Sequence, residues 1–288
     1  MTTTALYDIP GPQARRRHLV YGLAATAVIV GLVAWFVYLL LDTHQFTVQK
    51  WDPFTYKGIQ ELLLRGLGNT LKAFAYAAVL SLALGGLLAT ARLSEHRPVR
   101  WIATLVVEFF RAMPVLVMIF FVFVALKVQP LPALVTGLTL YNGSVLAEVF
   151  RTGVHSVERG QREAAYSLGM HKTQVMTYVL VPQALRAMLP TIISQLVVAL
   201  KDTSLGFLIT YEEFLHAGKL IASNLDYGLP FIPVVMIISP IYIGMCMLLS
   251  WLAHVAARRQ RGSLKTEAVE VAEPEPGTLL PGAGAHGP

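Results

Sequence analysis

Four consecutive residues, Lys201, Asp202, Thr203 and Ser204, place two opposite charges and two hydroxyls inside an otherwise apolar stretch. An ionised side chain at the centre of a bilayer costs about 2.5–3.5 kcal/mol on insertion scales, so such residues face a bundle interior or water. Counted from Pro190, Lys201 falls roughly 16 Å along a helix, near the middle of a membrane. Adjacent helical residues point in different directions, so Lys201 and Asp202 do not simply neutralise each other. The set can line a path and meet the charged head groups of an amino acid, or it can tie helices together as an ion-pair network. Both readings stand on the sequence.

A second charged set lies upstream. Glu108 and Arg111 are three residues apart and can pair on one helix face. The guanidinium fork of Arg111 also matches a carboxylate, so this residue is a candidate for receiving a substrate. Pro114 predicts a kink just beyond it. Asn142 and Glu148 add polar groups to the next apolar run.

The third set carries no charge chemistry but a shape. Residues 161–168 predict a short helix with Gly160 as N-cap, a tolerated cap residue. Glu163 falls in its first turn, at the positive end of the helix dipole. Gly169 stands where a left-handed residue would end the helix. Ala164 and Ala165 present a low-profile face that another protein can approach closely.

These residues must be positioned by a membrane bundle. Of the 288 residues, 55% are hydrophobic and 14% charged, against about 25% charged in a soluble domain. Mean hydropathy is +0.57. Cys246 is the single cysteine and sits in an apolar run, so no intrachain disulfide forms and the thiol packs as a small hydrophobe. Apolar runs predict spans at 19–41, 67–91, 101–126, 133–150, 187–210 and 229–255, each near the ~20 residues needed to cross a bilayer. The first follows Arg15, Arg16 and Arg17 and exceeds the ~7–15 residues of a signal-peptide core, so it reads as an anchor. Residues 1–18 form a polar tail in which Pro10-Gly11-Pro12 argues against regular structure. Residues 42–63 form an outer loop with an interfacial helix, 211–228 an amphipathic connector, and 258–288 a tail of disordered composition. In the second span, Ala77, Ala78, Ala83, Gly85 and Gly86 suit close helix packing in lipid.

Six spans put both termini on one side. Arg15–Arg17, Arg92, Arg97, Arg100, Arg151, Arg159, Arg162, Lys172, Arg258, Arg259, Arg261 and Lys265 fall on that side; Lys50, Lys57, Arg65, Lys127 and Lys219 fall on the other. The positive-inside rule makes the richer side cytosolic. The net charge of +6 is thus a topology signal and not a nucleic-acid footprint. Segment 155–181 then lies in the cytosol. No Gly-x-x-x-x-Gly-Lys-Ser/Thr loop occurs, because Gly218-Lys219 lacks both the upstream glycine and the following hydroxyl. Nor do the histidines show metal-ligand spacing, or a Ser/His/Asp or His-Glu-x-x-His pattern occur, so an embedded enzyme is disfavoured.

Glu163-Ala164-Ala165, Gly169 and Val181-Pro182 together resemble the EAA motif of ABC importer permeases. Glu-Phe-Phe-Arg-Ala-Met-Pro at 108–114, Leu-Thr-Leu-Tyr-Asn-Gly at 138–143 and Lys-Asp-Thr-Ser-Leu from 201 look like its polar amino acid subfamily, closest in flavour to actinobacterial glutamate permeases. The resemblance covers about 64–257. It implies an all-α integral membrane fold: a five-helix permease core, one extra N-terminal helix, and cytosolic coupling helices between the fourth and fifth spans. It further implies that Gly160, Glu163, Ala164, Ala165 and Gly169 contact a separate ATP-binding cassette ATPase, which would bind ATP and Mg while this chain holds no cofactor. An extracellular substrate-binding protein and a second permease, identical or homologous, complete the expected partners. Val181 stands where the family usually has Leu, and His171-Lys172 replaces a more usual Ser-Pro at the next helix start. The expected role is a multi-pass transport subunit of a bacterial cytoplasmic membrane, not an enzyme, moving a polar amino acid such as glutamate. Glutamine, aspartate or a basic amino acid fits the same scaffold. An ion-coupled secondary transporter is the alternative, although two repeated halves are not evident; a membrane scaffold or receptor predicts no transport.

Overall fold

The computed structural model describes residues 11–262, and the predicted features at 1–10 and 263–288 lie outside the described residues. Among the described residues the fold is all helical. The helices are α1 (Pro12–Asp42), α2 (Val48–Trp51), α3 (Lys57–Arg92), α4 (Arg97–Ala112), α5 (Val115–Phe120), α6 (Pro130–His155), α7 (Arg159–Ser167), α8 (Lys172–Gln174), α9 (Val181–Asp202), α10 (Phe214–Ala222) and α11 (Phe231–Gly262). Five helical stretches are long and apolar enough to cross a membrane, or six if a bent pair counts as one span.

The spans are longer than the apolar runs predict. α1 starts at Pro12, inside the expected tail, because proline suits the first helical turn where its missing N–H is not needed. α3 starts at Lys57, so the end of the expected outer loop is helix. The fifth span is continuous from Lys172 to Ile209, far beyond the expected start at 187. α11 runs through Arg258, Arg259 and Arg261 to Gly262, into the expected tail.

The largest departure is the third span. α4 and α5 meet at an angle of 100° across Met113 and Pro114. Proline excludes helical backbone from the residue before it, and Met113 is extended at φ −83° and ψ 133°. What the sequence predicts as a kinked helix is two short helices at a corner.

The described chain packs as two units. One comprises Ala73–Leu205 with the chain from Ile243. Here α6 packs against α4, α5 and α9. Close approach of α3 to α6 rests on glycine: a Cβ on Gly85 would lie 2.8 Å from Leu146 Cβ, and one on Gly143 would lie 2.9 Å from Leu84 Cδ2. That is the small-residue packing expected of helices in lipid. The other unit comprises the chain up to Lys72 with Gly206–Tyr242. Its core is Phe214, Ile221, Val234 and Ile238, flanked by Leu63, Leu67 and Tyr242.

Candidate functional site

The corner between α4 and α5 borders a cavity of about 560 Å³ lined by Arg111, Met113, Pro114, Tyr141, Val198 and Asp202, among others. Arg111 and Asp202, from two distant stretches, therefore face one space. α9 ends at Asp202, where the helix tightens into a 3-10 stretch at Thr203–Ile209. Such tightening inside a longer helical run often marks a functional hinge. Lys201 and Asp202 thus lie where the α-helix gives way to the tighter stretch, within the longer helical run.

Of the four consecutive candidates, only Asp202 lines this cavity. Lys201 is exposed and Ser204 half-buried. Thr203 is buried and donates its hydroxyl to the Leu200 carbonyl at 2.6 Å. Asn142 is also withdrawn from the space. It is buried, its amide nitrogen donates to the Leu138 carbonyl at 2.9 Å, and its oxygen accepts from Gln195 Nε2 at 2.7 Å, tying α6 to α9.

Arg111 pairs with Glu108, as their spacing allows, but at 3.4 Å and with 36% of its side chain exposed. Glu108 also accepts from Arg92 Nη2 at 3.4 Å. Arg92 reaches Glu148 at 2.8 Å, and Arg151 holds Glu148 at 2.6 and 3.1 Å. Glu148 is committed to two arginines, whereas Arg111 has one long contact and remains available.

The segment after α6 forms the predicted short helix, which starts two residues and ends one residue earlier than expected. α7 spans Arg159–Ser167 with Glu158 at the cap position, so Gly160 is inside the first turn and not the N-cap, and Glu163, the fifth residue, lies beyond the first turn expected for it. Gly169 is left-handed at φ +77°. Its N–H donates to the Tyr166 carbonyl, and Met170 N–H to the Ala165 carbonyl, which closes the helix as a left-handed C-terminal residue should. Ala165 is 4% exposed and packs with Val154, Val175, Leu180, Ala184 and Met188. The expected two-alanine face is therefore split: Ala164 and Glu163 are exposed, while Ala165 anchors the helix.

Beyond the glycine, His171 stands before α8 and its N–H donates to Gln174 Oε1 at 2.8 Å. Residues Val175–Leu180 widen into a π-helix ahead of Pro182, whose missing N–H leaves the usual ladder incomplete. Lys172 Nζ lies 2.6 Å from Glu95 Oε1 and holds that carboxyl below the usual carboxylate range.

The sequence profile described as binding-protein-dependent transport system inner membrane component matches residues 81–262. The chain belongs to this family. It is 41% identical over 199 residues to the glutamate transport system permease protein GluD of Corynebacterium glutamicum, covering 66% of this chain and 73% of that one. It is 34% identical over 195 residues to the probable glutamine ABC transporter permease protein GlnP of Bacillus subtilis, covering 66% and 88%. A crystal structure of an amino acid ABC transporter with histidines superposes with a TM-score of 0.66 at 29% identity, covering 74% of this chain and all of that one. The expected resemblance to amino acid ABC permeases holds.

Two features of this permease escape sequence reasoning. Leu168 is 83% exposed and Tyr166 46% exposed on the α7 segment, so this segment carries apolar side chains beside its exposed alanine. The second is Glu213, which is completely buried. It accepts from the Leu215 and His216 N–H groups at 2.8 and 2.6 Å and from the Tyr242 hydroxyl at 2.8 Å. Burial pushes its carboxyl up to about 7. A Glu-Glu pair in a polar connector reads as solvated, and Tyr242 is too distant in sequence to signal otherwise.

Proposed function

We propose that this permease is the membrane subunit of an ATP-driven importer of a polar amino acid, with glutamate as the substrate, in a bacterial cytoplasmic membrane. The observation that carries the reading is the joint exposure of Arg111 and Asp202 to one cavity at a broken helix. A guanidinium matches a carboxylate, and a carboxylate matches an ammonium, so the pair fits the two ends of an amino acid. Glutamate is favoured by the likeness to the Corynebacterium permease, with glutamine as the nearest competitor.

Both termini lie in the cytosol on this reading, so α7 faces inward. Glu163, Ala164, Tyr166, Leu168 and Gly169 then present the contact for an ATPase subunit, with Gly160 beside them and Ala165 fixing the helix from beneath. A substrate-binding protein delivers the amino acid to the outer connector, and a second permease encloses the path. ATP-driven closure of the ATPases moves α7 and α8 and swings the bundle between outward- and inward-open states.

Reconstitution with the ATPase and binding protein, followed by ATP-dependent uptake across labelled glutamate, aspartate, glutamine and arginine, tests the reading. Asp202→Asn and Arg111→Met are expected to lower uptake at least tenfold, the weight of about 1.4 kcal/mol per lost contact. Wild-type affinity and turnover in both variants would remove the cavity from the path. Uptake that persists without ATP while an ion gradient is maintained would favour secondary transport.

A further inference from the structure

Two crevices in the unit around α6 adjoin at Thr90, Leu93 and Val181, which line both, and together make one candidate space. Its inner part, about 270 Å³, is walled by Leu82, Phe150, Leu185 and Met188. Its outer part, about 530 Å³, is lined by Ser94, Glu95, His96, Lys172 and Thr177. The apolar part lies within the candidate spans, and the polar part lies where two of them end, at Arg92 and Lys172. A space that is apolar within the spans and polar at their ends fits an amphiphile aligned with the membrane.

Charge narrows the choice. Arg100 Nη1 donates to the Ser94 carbonyl at 3.3 Å, which holds its guanidinium at the mouth. Lys172 lines the same outer part and binds its one lining carboxylate, Glu95. With Arg100 counted beside the Lys172–Glu95 pair, the mouth carries one uncompensated positive charge at the level where lipid headgroups lie, and each basic group there attracts anionic lipids.

We propose that this crevice binds one anionic phospholipid, its phosphate between Arg100 and Lys172 and an acyl chain against Leu185 and Phe150. The inner-leaflet placement rests on the orientation given under Proposed function. Thr177 belongs to the π-helical stretch that follows the α7–α8 segment, so the lipid braces the base of the segment that meets the ATPase.

Native mass spectrometry of the permease–ATPase complex, titrated with phosphatidylglycerol and phosphatidylcholine of matched chains, tests this. The expected result is one phosphatidylglycerol per permease, retained about fivefold more tightly than phosphatidylcholine. Leu185→Trp, which fills the inner part, is expected to abolish that preference. Thr90→Trp at the exposed lip serves as a second variant should the first fail to fold. Equal retention of both lipids, or an unchanged preference in a folded filling variant, would overturn the site. Retention of the lipid by the permease alone but not by the complex would assign the crevice to the ATPase instead. None of these readouts needs transport, so they stand apart from the substrate assignment. Labelling of Ser94→Cys, in a Cys246→Ala background, by an impermeant thiol reagent only in inverted vesicles supports the inner leaflet; labelling from outside would overturn it.

Discussion

Arg92 Nη1 lies 2.8 Å from Glu148 Oε2, while Arg151 holds the other oxygen of the same carboxylate at 2.6 Å. The Arg92 side chain is only 8% exposed, so its charge depends on that carboxylate. Glu148→Gln, which leaves the buried Arg92 charge without its close carboxylate, is expected to lower stability by about 3 kcal/mol, and Arg92→Met by less, because Glu148 keeps Arg151. A double-mutant cycle of the two, read by thermal unfolding in detergent, should give a coupling above about 1 kcal/mol. Simple additivity would mean the two residues do not act together.

Glu213 gives a pH dependence with a definite sign. Its folded value near 7 lies above the ordinary 4.5, so between these values the native state binds a proton that the unfolded state has released. Stability is therefore greatest below about pH 4.5 from this group and falls as pH rises, by about 3 kcal/mol in all. Thermal unfolding across pH 5–8 should show this slope in wild type and lose it in Glu213→Gln. An unchanged slope in the variant would assign the effect to another group.

Gly85 and Gly86 make a matched pair for testing close packing. A Cβ on Gly85 would meet Leu146 Cβ at 2.8 Å and the backbone of Gly143 and Ala147 at 3.1 and 3.3 Å, whereas Gly86 faces open space. Gly85→Ala should cost about 1–3 kcal/mol through forced separation of α3 and α6. Gly86→Ala should be neutral or stabilising by up to about 1 kcal/mol, because alanine favours helix. Equal effects would show that α3 and α6 are not so closely fitted.

At Gly169 the backbone is strained for any side chain with a Cβ, although nothing crowds the position. Gly169→Val should cost about 1–2 kcal/mol locally, and Gly169→Asn less, since Asn tolerates left-handed backbone. Transport and ATPase coupling should follow the same order, with the bundle still folded. Leu168→Glu should weaken assembly with the ATPase at least tenfold, the loss of about 1.4 kcal/mol of apolar contact. Wild-type assembly and coupling in both Gly169→Val and Leu168→Glu would place the ATPase contact elsewhere.

The sequence made the apolar centres of the spans legible because hydropathy reports burial in lipid directly. Their ends were not, since helices such as the one from Lys172 continue through polar residues once hydrogen bonding has started. Gly169 could be read because few residues adopt its backbone. Glu213 and Ala165 could not, because burial in a polar segment depends on partners brought from far along the chain. Arg111 and Asp202 were each visible as costly charges, but their shared cavity follows from the corner at Pro114, whose angle no residue pattern specifies.

From Lys172 to Asp202 the chain is one uninterrupted helical run, about 45 Å long at 1.5 Å per residue. On the proposed function it would serve as a lever arm, with the α7–α8 elbow at one end and the Asp202 carboxylate at the other. A tilt of about 5° about one end would carry the other by roughly 4 Å over that length. That displacement exceeds a hydrogen bond, so on the proposed function a few degrees of rotation about the elbow would bring Asp202 into or out of reach of a cargo. The widened turn before Pro182 and the proline at 190 are the two soft points along the arm. Stiffening either would trade reach for force.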